Sequence, residues 1–184
     1  MNDDTQDAEI AAVAGFWRDA GPERWFEKNP AFDAAFHDRF RDLHFAAAAR
    51  TRDGFMASAE GALALILLLD QFPRNCFRGT AHMYATDPLA RHFARLALAR
   101  GYPGQLEMAL RVFFFLPFSH SENLADQDIA VELNRANDPD SLKHALGHRD
   151  IIARFGRFPH RNPLLGRDST PEEARFLEEG GFAG

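Results

Sequence analysis

Apolar side chains recur along this chain every three or four residues, with no sustained alternation of apolar and polar positions, and that spacing predicts helices and no strands. Asn29-Pro30 supplies a capping side chain followed by a proline at the first helical position. Phe32, Phe36, Phe40 and Leu43 then fall on one face as a buried aromatic stripe. Ser58 can cap the next helix, whose body ALALILLL is apolar all round and therefore central. Pro73 has no backbone donor and disfavours a helical Phe72, so this helix is expected to end there. Asp87-Pro88 opens a helix with Leu89, Phe93, Leu96 and Ala97 inward and Gly101 at its end. Further helices are expected over 105–115, stopped by Pro117, over 124–137, and from Asp138-Pro139 to Gly156. Thr170-Pro171-Glu172-Glu173 has the form of a capping box and places a last helix over 172–179. Seven or eight helices joined by short Pro/Gly turns make one all-α domain over residues 1–184, a bundle of antiparallel helical hairpins without a repeat of fixed period.

Composition narrows the function classes. Eighteen Phe against two Trp and two Tyr put large rings without a polar handle inside the bundle, and the run Phe113-Phe114-Phe115 is read as core. The longest apolar run, Ala62 to Leu69, is eight residues, far short of the roughly 20 that a membrane-spanning helix needs. The N-terminus MNDDTQDAEI is acidic where a secretory signal would be basic, so a cytoplasmic location is expected, with no membrane partner. One cysteine, Cys76, excludes an internal disulfide and is read as a small buried hydrophobe. A formal net charge of −6 and a pI near 5.7 argue against general nucleic-acid binding. Gly-rich phosphate loops are missing, which argues against the common nucleotide sites, and no cofactor is expected.

Against that acidic background, RFGRFPHRNPLLGR (154–167) concentrates four arginines and a histidine with no acid. Its Arg157-Phe158-Pro159-His160-Arg161-Asn162 echoes Gln71-Phe72-Pro73-Arg74-Asn75. In each, Phe can anchor the chain while Arg and Asn project from a fixed turn. With PFSHSE (117–122) between them, the stretches LLLDQFPRNCFRGT (67–80), FFFLPFSHSENLADQD (113–128) and HRDIIARFGRFPHRNPLLGRDSTPEE (148–173) resemble the bacterial domain-of-unknown-function 924 family. The resemblance runs from Phe16-Trp17 to Phe176-Leu177 and implies a tetratricopeptide-like helical fold. It implies no activity, because the family has none established. Leu146-Gly147 and Asp53-Gly54-Phe55-Met56 depart from the family pattern. Gly147 inside a helix should cost about 1 kcal/mol relative to Ala.

Three kinds of chemistry are then open. Asp70, Gln71, Arg74, Asn75, Arg78, His120, Glu122, Arg154, Arg157, His160, Arg161 and Asn162 would form an Arg/His-rich cleft if the turns are neighbours. Guanidinium forks suit phosphate or carboxylate, so the ligand would be a small anion or an acidic peptide end. The same arginines could instead be neutralised by Asp70, Glu122, Asp126, Asp128 and Asp150 as an internal network. Glu122 with His120 or His148 could also serve as acid-base groups of a hydrolase. His144 and His148, four apart, have a usable metal spacing, but His-Glu-x-x-His is absent and no metal site is assigned. A helical scaffold that binds another protein, with purely structural arginines, is the third class.

Overall fold

The structure, a computed structural model, describes residues 3–137 and 139–183. The expected helix start at Asp138 lies outside the described residues. The chain is all-α, and the described residues contain no strand. None of their helices is long and apolar enough to cross a membrane. Two compact units result, one of residues 1–78 with 82–117, the other of 79–81 with 118–184.

In the first unit, α1 (Asp3–Ala20), the short α2 (Pro22–Trp25) and α3 (Pro30–Ala48) precede a central apolar helix. The inward face of α1 is Ile10, Val13, Ala14 and Trp17, at the three-four spacing of a helix, a pattern blurred by the alanines among them. Asn29 caps α3 as expected, accepting from the Phe32 amide at 3.1 Å. Phe36 and Phe40 are buried, and Phe36 meets Trp17 at 5.3 Å and Phe72 at 5.0 Å between ring centroids. Phe113, Phe114 and Phe115 are also core.

The central helix corrects one expectation. Ser58 caps α4 (Ala59–Ile66) through the Gly61 amide, but the helix does not stop at Pro73. It widens into a π-helical turn over Leu67–Gln71 and continues as α5 (Phe72–Cys76), with Phe72 itself helical at φ −53, ψ −50. A proline in an α-helix lacks the amide for the carbonyl four residues back and crowds it. The wider turn relieves the crowding, and side chains donate to carbonyls of this segment. His44 Nδ1–H donates to Leu68 O at 2.8 Å, the Thr86 hydroxyl to Leu69 O at 2.5 Å, and Arg74 Nη1 to Asp70 O at 2.9 Å.

Two further expectations shift. On α6 (Asp87–Ala99) the buried stripe is Ala90, Phe93, Ala94 and Ala97, so Leu96 stands 36% exposed just off its edge. In place of a helix from 105, 3₁₀ turns cover Tyr102–Gln105 and Met108–Arg111, and α7 is Val112–Ser119 with Pro117 inside it. Burial of Phe113, Phe114, Phe115 and Phe118 outweighs the proline penalty of about 3 kcal/mol.

In the second unit, α8 (Leu124–Asn137) and α9 (Pro139–Phe155) pack together as a hairpin. Gly156, at φ +69, ends α9, and its amide closes on Ile152 O at 2.8 Å. Ile151, Ile152 and Phe158 form a core joined by Phe155 and Phe176. A 3₁₀ turn, Pro159–Arg161, leads to α10 (Pro171–Glu178). The expected capping box is present with both of its hydrogen bonds, Thr170 to the Glu173 amide and Glu173 to the Thr170 amide.

Candidate functional site

The arginines of the first Phe-Pro turn are engaged by carboxylates of their own unit. Arg74 donates to both oxygens of Asp87, at 2.7 and 3.0 Å, and lies 3.3 Å from the fully buried Asp70. Burial alone would lower the Arg74 pKa, but the two carboxylates outweigh it and raise it. Gln71 donates to Asp70 at 2.6 Å. One turn on, Asn75 and Arg78 both bind Asp33, at 2.8 and 3.1 Å. Cys76 sits beside the same Asp33. Burial, and then that carboxylate, push its thiol up to about 12, which removes it as a nucleophile at neutral pH.

The second turn follows the same logic with glutamates. Arg157 forks onto Glu173 at 2.6 and 2.8 Å, and Asn162 reaches that carboxylate at 3.4 Å. The Arg157 hydrogen bonds hold Glu173 down to about 2. Arg154 pairs with Glu172 at 2.9 Å. Arg161 is buried, with its guanidinium 4.5 Å from the centre of the Phe158 ring. Glu122 accepts from the Phe158 amide at 2.8 Å and from both terminal nitrogens of Arg167, at 2.7 and 3.0 Å. Burial works to raise the Glu122 pKa, but the Arg167 and amide hydrogen bonds prevail and lower it. A carboxylate committed to three donors clamps the turn and is a poor proton acceptor. Arg167 and Glu173 were missed as partners because each lies distant in sequence from the group it binds.

Within PFSHSE, Ser121 donates to Asp126 at 2.6 Å, and the α8 cap is Asn123, which accepts from the Ala125 amide at 2.9 Å. Gln127, unremarkable in sequence, ties the bend by donating to the carbonyls of Ser119 and Ser121, at 2.8 and 2.6 Å. Among the described residues no group of three His, Cys, Asp or Glu side chains could hold a metal ion.

A different cluster gathers on α9. A pocket of about 370 Å³ is rimmed by Lys143, His144, His148 and Arg154, with Asp150 among them. Its apolar wall is Ile151, Phe155, Phe176 and Phe182, and Gly147 adds open room, since nothing lies within 4 Å of a side-chain carbon built there. His148 Nδ1 is buried and makes no hydrogen bond among the described residues. The ring packs on Phe158 and Phe182, at 5.5 and 4.7 Å between centroids. Burial first, then the nearby His120, Arg161, His144 and His160, bring the His148 pKa down to about 3. His120, His160 and Arg161 of the expected cleft thus act on one imidazole, together with His144.

This predicts acid sensitivity. His148, and His44 whose pKa burial also lowers, stay neutral in the fold while the unfolded chain takes up protons below about pH 6.5. Stability is therefore fully present above that pH and falls as pH drops, with a slope of at most about 1.4 kcal/mol per pH unit for each histidine. Urea unfolding at pH 7, 6 and 5 should show a steady loss, and His148→Gln should flatten the curve. An unchanged slope in that variant would remove His148 from the account.

No curated protein matches the chain. The solved structure of a protein of unknown function from Agrobacterium tumefaciens is similar, at 60% identity and a TM-score of 0.93, covering 95% of this chain and 99% of that one. The family described as "Bacterial protein of unknown function (DUF924)" matches residues 13–181. A match over nearly the whole length, joined by a likeness in fold and sequence this close, places the chain in that bacterial family.

Proposed function

We propose that the second unit binds a small anion, or the carboxylate end of an acidic peptide, in the basic-rimmed pocket along α9. The supporting observation is that His148, whose Nδ1 has no hydrogen-bond partner among the described residues, lines this pocket together with Lys143, His144 and Arg154. Buried polar atoms in folded proteins are almost always satisfied, and a neutral imidazole has one N–H to give a carboxylate or phosphate oxygen. Lys143 and Arg154 supply positive charge on the same rim. The glutamate-paired Arg157 and Arg167 keep the neighbouring turn in place, while Asp70, Gln71, Arg74, Asn75 and Arg78 serve the fold of the first unit.

Thermal unfolding with increasing acetate or phosphate tests the reading. At tenfold excess over Kd the melting temperature should rise by about 3–6 °C for a chain of this size. Gly147→Leu, whose first side-chain carbon meets nothing within 4 Å and whose branched end occupies the pocket, should abolish the rise and leave the ligand-free melting temperature at or slightly above that of the wild type. An equal rise in that variant would sink the assignment.

A further inference from the structure

We infer that the anion this pocket takes is a monocarboxylate carried on an aromatic or branched aliphatic body, which Phe182 covers from the tail; the inference rests on the anion-binding reading above. Charge on the rim argues for a single negative charge. Arg154 already shares its guanidinium with Glu172 at 2.9 Å and holds it 4.6 Å from the centre of the Phe155 ring. Asp150 stands on the same rim and repels a second negative charge. A phosphate dianion would also shed its water shell against phenylalanines, whereas a hydrocarbon body gains from the same contact.

The spacing on α9 orients such a ligand. His144, His148, Ile151 and Phe155 fall on one helix face, with the imidazoles at one end and the apolar side chains at the other. From His148 to Phe155 the helix rises about 10 Å, room for a carboxylate followed by one ring. Phe155 and Phe176 already pack at 5.1 Å as one wall.

Phe182 also lines the pocket, and local geometry sets it there. Gly180 takes φ +85, open to glycine at little cost, and a side-chain carbon on Gly181 would lie 2.5 Å from the Phe176 ring. The tail so directed brings Phe182 to 4.7 Å from His148 and 5.1 Å from His160, yet leaves it 42% exposed. A ring held by these contacts and still 42% exposed has surface left to meet a ligand.

The test is a titration of the full chain, followed by the ring signals of His144 and His148 in NMR, with phenylacetate, acetate, inorganic phosphate and 2-phenylethanol. Phenylacetate should bind about tenfold more tightly than each of the others, the scale of one aromatic contact. Phe182→Ala should weaken phenylacetate about fivefold and leave acetate unchanged. Acetate or phosphate binding as well as phenylacetate would overturn the amphipathic class while keeping the anion reading. Equal binding of 2-phenylethanol would overturn the need for charge, and no response to any anion would end both.

Discussion

Arg74→Met should cost the protein about 3–5 kcal/mol, while the same change at Arg154 should cost less than about 1 kcal/mol. Urea unfolding of the full chain followed by circular dichroism would measure both. Arg74 lies in α5 and Arg154 in the last turn of α9, and each touches carboxylate. They differ in surroundings. Arg74 bridges Asp87 and the fully buried Asp70, and also donates to the Asp70 carbonyl. Without the guanidinium, two carboxylates buried in the fold lose a shared counter-charge and a backbone carbonyl loses its donor. The Arg154–Glu172 pair is more than half exposed on both sides, so water takes over most of what either partner loses. Equal effects at the two positions would show that burial does not decide the outcome here.

Gly61→Ala should destabilise by about 3 kcal/mol or more, although alanine is the better helix former by about 1 kcal/mol. The added carbon would lie 2.0 Å from the Phe55 carbonyl oxygen and 2.8 Å from the carbon that bears it. Both are backbone atoms, so relief requires moving either the 3₁₀ turn Asp53–Ala57 or the start of α4. Ile10, 3.1 Å away, closes the remaining side. The same substitution at Gly147 meets no atom within 4 Å and should stabilise by about 0.5–1 kcal/mol through propensity alone. Opposite signs for one chemical change, read in a single melting experiment, check the packing directly. A neutral Gly61→Ala would mean that the turn and the helix are not in contact as described.

What could be read in the sequence was local. Asn29, Ser58 and Thr170 each announced a helix start within four residues, and each hydrogen bond is present because cap and amide are neighbours in the chain. The prolines misled for the complementary reason. Pro73 ends a helix only if nothing serves the carbonyls behind it, and here His44 and Thr86, 24 and 17 residues from their acceptors, do so. The arginine stretch was visible as a charge anomaly, but its partners were not. Glu122 and Arg167 are 45 residues apart, and Arg78 and Asp33 also 45, distances over which spacing has no say. The α9 pocket was only half legible. His144 and His148 stood out by their four-residue spacing, while Lys143 and Phe182 had no motif to mark them.

The widened turn at Leu67–Gln71 also sets an azimuth. A helix advances about 100° per residue, so the surplus residue that such a turn absorbs rotates everything beyond it by that angle. Arg74 faces Asp87, and Asn75 faces Asp33, only in the rotated frame. Ironed into a regular spiral, the segment would swing both side chains away from their acids while keeping every hydrophobic residue in the chain. The irregularity thus acts as a phase adjuster that lets one apolar rod carry a polar end aimed at two different helices.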